Sequence, residues 1–391
     1  MLRRTVRLAC VMAAPLACGR SGDHHSGFVT RDSAGVEVVE NGERDRPLDW
    51  VLEPKFAIGG QDEGPESFTT LRGAVAAGPG GSLYVLDVLG MRLIAFDSLG
   101  QLRWANGRAG GGPGEFGEHA VWSIAVTPAG HVEALDLGNM RRTRYDATGR
   151  FVRSEPLSFP PYRSRSVYTD SGLAVTLPWQ WGQRLVSVLG SDTNTIVERG
   201  AAEGAFVRFE RCGQVVRLPA LFSTQDLRWA GNRAVVALNL RPQYEIDLYQ
   251  GVWLVRRVRR AVAPRAPSVE AMRAWYPDGF VARRDGTTCR RSAEHVATDV
   301  GWAPLVPSIR DLAVAPNGEI WVVRDPAADG RSAVDVLTVE GRYLGTLAPG
   351  TPVPIAFTAA GDVIALETND VDVQRLVVYQ VRRQRRDRPP S

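Results

Sequence analysis

The chain has 391 residues, 44% hydrophobic and 23% charged, with 40 glycines and 25 prolines. That composition excludes collagen-like, coiled-coil and wholly disordered chains. The formal charge of +4 is no nucleic-acid signal, because residues 1–20 carry +4, residues 382–391 another +4, and the body between them −4. Nucleic-acid binding needs a clustered positive surface on the folded part, so no nucleic-acid partner is expected. A single lysine, Lys55, accompanies 46 arginines.

Taken in chain order, the first segment reads MLRRTVRLACVMAAPLACGRSGDHH. Arg3, Arg4 and Arg7 precede an apolar run from Leu8 to Ala17. The run is about half of what a bilayer-spanning helix needs, but it suits the apolar region of a signal peptide over residues 1–17. It ends in Leu-Ala-Cys-Gly, and a small residue directly before Cys18 resembles a bacterial lipobox, although Pro15 stands where leucine is usual. The expectation is a lipid anchor on Cys18 with a polar tether over 18–27, in the periplasm or on the outer membrane. Plain secretion is the alternative. Cys212 and Cys289 remain in an oxidising compartment, where they either pair as a disulfide or stay as two buried thiols.

Internal repetition is the most informative feature. AVAAGPGGSLYVLDVLGMRLIAFDSLG (74–100) and SIAVTPAGHVEALDLGNMRRTRYDATG (123–149) superpose with a shift of 49. Pro79 then falls on Pro128, Asp87 on Asp136, Asp97 on Asp146 and Gly100 on Gly149. Each unit reads as an apolar strand, a Pro-x-Gly turn, a second strand, an Asp-led loop, a third strand ending aromatic-Asp, and a turn with glycine. Short strands between Gly/Pro turns are antiparallel hairpins. Weaker copies run through Ser166 to Leu189 and Leu227 to Val255, and clearer ones start at LAVAPNG (312–318) and IAFTAAG (355–361). That makes six units.

A second repeat predicts how the ring closes. FAIGGQDEGPESF (56–68) matches WANGRAGGGPGEF (104–116), with Gly59 on Gly107 and Phe68 on Phe116. The second copy leaves one unit and leads into the next, so the first should do the same. The strand Trp50 to Ile58 is therefore expected to complete the last blade and join the two chain ends, which removes exposed edges.

With Gly-Pro-Gly-Glu-Phe, the Pro-x-Gly turn, the Asp-led loop with Arg92 or Arg141 five residues on, and the aromatic-Asp ending, the chain resembles NHL repeats. It is more closely similar to bacterial six-bladed β-propeller proteins whose N-terminus reads like RDSAGVEVVEN (31–41). The resemblance implies an all-β, six-bladed propeller of four-stranded antiparallel blades over residues 28–381, followed by a basic tail. It covers proteins of diverse function. NHL-like lyases hold a metal with histidines in the axial channel, and no such set can be matched among the five histidines here.

Three motifs have plainer readings than catalysis. GPGEFG (112–117) matches GxGxxG, but a strand pattern follows where a dinucleotide site needs a helix, so it reads as a turn. Asp87 and Asp136 repeat with the unit, as structural residues do, and should close their own loops with Arg92 and Arg141 paired to them. Glu367, Asp370 and Asp372 form an acidic group that could hold calcium or another divalent metal. Their spacing favours a solvated loop, and no cofactor is expected.

Residues 261–308 are too long for a blade connection. Ser268 could cap a short helix over Ala271–Trp275. In a propeller this insertion shares a face with the loops after each second strand, including PWQWGQ (178–183) and NLRPQY, which ends at Tyr244. Trp179, Trp181, Arg241, Tyr244, Trp275 and Tyr276 are thus candidate ligand-binding residues on one rim, since aromatic and arginine side chains anchor binding surfaces. The rings could equally seal the insertion onto the propeller. The expected function is a monomeric binding or scaffold module of the cell envelope, for an envelope protein or a small ligand. It would meet the membrane only through its anchor. A metal-dependent propeller enzyme of the lyase or lactonase type is the alternative, and fold alone does not decide between them.

Overall fold

The structure is a computed structural model that describes residues 27–60, 66–68, 71, 74–118, 121–158, 165–179, 182–190, 192–200, 227–267, 280–284, 287–292, 304–325, 331–368 and 373–383. The N-terminal leader with Cys18, and Cys212, Trp181, Trp275 and Tyr276, lie outside them. So does the expected helix at 271–275.

The described chain is all-β. It opens with a hairpin, β1 (Phe28–Ser33) and β2 (Val36–Asn41), and then β3 (Trp50–Gly59). Blade 1 holds β4 (Val75–Ala77), β5 (Leu83–Asp87), β6 (Arg92–Phe96) and β7 (Leu102–Asn106). Blade 2 holds β8 (Val121–Val126), β9 (Val132–Asp136), β10 (Arg141–Tyr145) and β11 (Phe151–Pro156). Blade 3 holds β12 (Ser166–Thr169), β13 (Gly172–Trp179), β14 (Gly182–Leu189) and β15 (Asp192–Arg199). Blade 4 holds β16 (Arg228–Gly231), β17 (Val236–Asn239), β18 (Glu245–Gln250) and β19 (Trp253–Arg260). The insertion contributes a two-stranded hairpin, β20 (Phe280–Arg284) and β21 (Thr287–Arg291). Blade 5 holds β22 (Ile309–Val314), β23 (Ile320–Arg324), β24 (Val334–Leu337) and β25 (Tyr343–Thr346). Blade 6 holds β26 (Pro354–Phe357), β27 (Val363–Thr368) and β28 (Gln374–Arg383), and β3 is its fourth strand.

Closure follows the expected route. β3 pairs antiparallel with β28 from Gly59 opposite Arg375 to Trp50 opposite Arg383. Arg382 and Arg383, read from sequence as the start of a basic tail, are instead the end of this strand. They pair with Glu53 and Glu319. Inner strands β26 and β4 touch, which completes the ring.

The chain start does more than close blade 6. β2 adds in parallel to the outer strand β19, so blade 4 and the N-terminal hairpin form one six-stranded sheet. The chain then crosses the outer edge of blade 5, where Leu48 N donates to Thr346 O and Thr346 N donates to Arg46 O. Residues 28–59 thus form a belt over blades 4, 5 and 6. This belt left no signature in the repeats, because it lies outside the repeating unit.

The core is divided rather than central. Six hydrophobic clusters each lie between two neighbouring blades, such as Leu86, Phe116 and Tyr145 between blades 1 and 2, and Ile58, Phe96 and Leu376 between blades 6 and 1. Burial of one such side chain stabilises by about 1.5–3 kcal/mol. Strands buried on both faces explain the near-continuous apolar runs of β5 and β9.

The matched glycines have a physical cause. Gly59 and Gly107 sit at φ of +84° and +111°, and a Cβ there would overlap the rings of Phe68 and Phe116 respectively. Each glycine is a seat for a buried aromatic that seals the passage to the next blade. The loop aspartates close their own turns, with Gly90 N donating to Asp87 and Asn139 N to Asp136. Arg92 pairs with Asp87 as expected, at 2.9 Å. Arg141 does not pair with Asp136; it donates to the carbonyls of Gly111, Gly112 and Glu115 and braces the GPGEFG turn.

Candidate functional site: the central channel

The six inner strands surround a cavity of about 1090 Å³. Each inner strand runs toward the short turn that leads to its second strand, so the strand starts share one mouth. Arg165 directly precedes β12, Arg228 opens β16, and Arg310 and Asp311 stand near the start of β22; all four line the cavity. Arg233 lies in the β16–β17 turn at the opposite mouth, where Asp170 of the β12–β13 turn accepts from its Nε at 2.7 Å.

Arg165 reaches across from blade 3 to two other blades. It donates to Trp229 O in blade 4 at 2.9 Å, to Leu312 O in blade 5, and to the Asp311 carboxylate at 2.7 Å. The second oxygen of Asp311 accepts from Leu312 N at 2.8 Å. This pair is therefore internally engaged and ties three inner strands together. Around it stand neutral groups. Ser123 and Ser166 share a 2.5 Å contact between blades 2 and 3, and Trp229 Nε1 donates to Thr176 at 2.9 Å. Tyr168 donates to the buried Glu133; burial and then the Glu133 carboxylate push its pKa above the usual phenol range, so it stays a neutral donor.

Arg310 is held differently. The register of β22 against β23 skips it, with Ile309 opposite Arg324 and Asp311 opposite Val323. Blade 2 has the same bulge between Val121 and Ser123. A bulge re-aims its extra residue. Here Arg310 is exposed on the cavity wall while its neighbour Ile309 is fully buried, and it has no ion-pair partner among the described residues.

The neck of the insertion lies at this mouth. Its two ends are pinned together where Val306 N donates to Arg265 O at 2.7 Å. Ser308 N donates to Pro242 O, and Arg265 pairs with Asp325, so the neck sits between the second-strand loops of blades 4 and 5. Ile309 follows directly, which puts this neck on the side of the channel where Arg310 stands.

The residues proposed from sequence fare unevenly. Arg241 is exposed and pairs with Glu245 at 3.2 Å. Tyr244 is 1% exposed and belongs to the core between blades 4 and 5, so it is a packing residue and not part of a rim. Burial, and after it the Asp335 carboxylate, raise its pKa well above the phenol range. Trp179 ends β13 and Cys289 lies in β21, and only their backbone is described. Of the acidic group, Glu367 is engaged by Arg375 and by the Tyr379 hydroxyl, while Asp370 and Asp372 lie outside the described residues. No cluster of three His, Cys, Asp or Glu residues that could hold a metal occurs among the described residues.

The channel arginines escaped the sequence reading, although a signal was present. SRSV, DLRWA and SIRDL each carry an arginine at the start of a first strand. Counting charge over the whole body, at −4, hid three cations that the ring brings to one mouth.

No protein-family model and no curated protein matches the chain. Solved structures do. A candidate exported protein from Bacteroides fragilis is 13% identical with a TM-score of 0.50, covering 89% of this chain and all of its own. A member of the DUF4221 family from Bacteroides vulgatus is 10% identical with a TM-score of 0.52, covering 87% of this chain and all of its own. A streptogramin B lyase aligns at 11% identity with a TM-score of 0.38, over 85% of this chain and 98% of that one. At these identities the likeness concerns the fold.

Proposed function

We propose that the chain is an exported propeller with NHL-like repeats that works as a binding module of the cell envelope, taking a small ligand at the channel mouth beside the insertion. The observation that carries this reading is the cavity of about 1090 Å³ on the ring axis, whose mouth is lined by arginines from three different blades. That volume matches the size of small-molecule sites, and the wall sets polar and charged side chains from several blades among apolar ones, so it could both orient and cover a ligand. Arg241 and the aromatic residues Trp179, Trp181, Trp275 and Tyr276 would extend the site from the loops of the same face. Native mass spectrometry of the full chain purified from its own envelope fraction tests the reading. One small molecule per chain, retained after chelation of divalent metals, is the expected result. A mass equal to the bare chain speaks against a resident ligand. Loss of the ligand on chelation would favour the metal-dependent enzyme of the lyase or lactonase type.

The envelope location rests on the leader sequence, and the exported neighbour is consistent with it. Lipidation of Cys18 would place the propeller at a membrane by a tether. Cys18→Ser is expected to move the protein from the membrane fraction to the soluble periplasm. A wild-type protein that is already soluble would leave plain secretion in its place.

A further inference from the structure

One side of the ring exposes apolar side chains at the tips of its turns. We infer that the lipid-anchored propeller rests on the bilayer surface at the corner of blades 3 and 4, with Trp253 and Val252 seated among the lipid head groups. This rests on the reading of Cys18 as a lipid anchor and adds a second membrane contact to it.

Turns usually carry glycine and small polar residues. Here the turns between third and fourth strands do not. Leu189, at the end of β14, is 61% exposed, and Val339, between β24 and β25, is 44% exposed. Val252 and Trp253 follow Gly251 between β18 and β19, and Trp253, at 75%, is the most exposed large hydrophobic among the described residues. These tips are neighbours. A Cβ on Gly251 would stand 3.0 Å from Ser171 Oγ, and one on Gly172 would stand 3.2 Å from Leu189 Cβ. The β12–β13 turn thus joins the tips of blades 3 and 4. Asp170 of the same turn pairs with Arg233 at the far mouth, so the patch lies on the side of the ring away from the insertion neck. On its other flank Arg256, three residues after Trp253, donates to Val339 O at 3.2 Å.

The chain leading into the propeller points to what covers the patch. Nine residues, 19–27, separate Cys18 from β1, and extended they reach about 30 Å. β1 has six residues and spans about 20 Å. It leads to the hairpin turn at Ala34 and Gly35, beside the start of β19, since Glu37 stands opposite Arg256. Trp253 is the first residue of β19, so it lies within the reach of the tether. A lipid on Cys18 therefore stands beside this corner without strain. Tryptophan with aliphatic neighbours is the composition that settles at a membrane interface. A few turn tips do not supply the roughly 800 Å² per partner of a stable protein interface. An anchored chain needs far less, because the anchor already holds it at high effective concentration over the surface. Seated this way, the channel mouth beside the insertion faces away from the membrane.

Tryptophan quenching tests the seat. The chain purified from its membrane fraction is reconstituted into phosphatidylcholine vesicles, with and without lipid brominated high on the acyl chain. Brominated lipid is expected to quench part of the tryptophan emission. Trp253→Phe should abolish that quenching with the melting temperature unchanged, because the side chain is exposed. Val252→Asp keeps the reporter and should lower the quenching. The quenching should persist at high salt, as an apolar contact does. Quenching that Trp253→Phe leaves intact would put another face on the bilayer and overturns the assignment. No quenching, with the chain still in the vesicle fraction, overturns the lipid contact and leaves the patch to a protein partner. A chain whose mass carries no lipid removes the anchor reading, and this contact falls with it.

Discussion

Deleting residues 28–60 is expected to give a protein that aggregates on expression and shows no cooperative melting transition. The deletion removes β3, and with it the partner of β28 from Arg375 to Arg383. A ten-residue edge strand with unpaired backbone groups is a template for intermolecular pairing. Buried apolar surface goes as well. Ile58 is 1% exposed and packs with Phe96 and Leu376, and the Trp50 ring lies 6.1 Å from that of Trp321. A shorter deletion, residues 28–44, separates the two jobs of the segment. It removes the hairpin from β19 but leaves β3 in place, so a monomer with a lowered melting temperature is expected. Size-exclusion chromatography and thermal melting distinguish these results. A monomeric 28–60 deletion with an unchanged melting temperature would sink the closure.

How much of this was legible follows from where repetition acts. Blades 1 and 2 were the most readable because they share the Pro-x-Gly turn, the loop aspartate and the glycine-seated aromatic passage, while blade 5 keeps the Pro-x-Gly turn and blades 3, 4 and 6 only part of the pattern. Closure was readable for the same reason, since the 56–68 segment copies 104–116 ahead of the first complete unit. The belt was not, because Asn41 and Arg46 make unique contacts that no periodicity advertises. Asn41 donates to Gly341 O and accepts from Tyr343 N, which links the N-terminus to blade 5 across 300 positions in sequence. The candidate site was the least readable part. Tyr244 looked like a rim aromatic because it follows a polar loop, yet the loop turns it inward beneath Arg260. Arg165, Arg228 and Arg310 are far apart in sequence and mean little singly. Only the ring makes them neighbours.

Arg260 joins the belt to the blades, and Arg260→Ala is expected to lower stability by about 3–5 kcal/mol, the usual cost of orphaning a buried charge. Arg260 is the last residue of β19, and its side chain is wholly buried. It donates to Asp335, itself fully buried, at 2.8 Å and to Asp45 at 2.7 Å. It also donates to the backbone carbonyls of Glu43 and Arg44, and lies 3.7 Å over the Tyr343 ring. Burial opposes the charge on Asp45, but hydrogen bonds from Arg324 and Arg260 outweigh it and hold the carboxyl below its usual range. In the alanine variant Asp335 would keep Thr346 as a donor and Arg324 at 3.7 Å, but lose the hydrogen-bonded guanidinium of Arg260. The melting temperature should fall by about 4–7 °C. Replacing both partners, Arg260→Met with Asp335→Leu, should recover part of the loss, because a buried ion pair exchanged for apolar groups is often close to neutral. The recovery should be incomplete, since Asp45 and the two belt carbonyls still lose their donor. Thermal and urea melts of the two singles and the double measure this. A double variant no more stable than Arg260→Ala would show that Arg260 acts through the belt alone and not through Asp335. Because Arg260 directly precedes the insertion, the same loss of order should reach the neck at Val262 and Ser308. Ligand affinity at the channel mouth should then weaken along with stability.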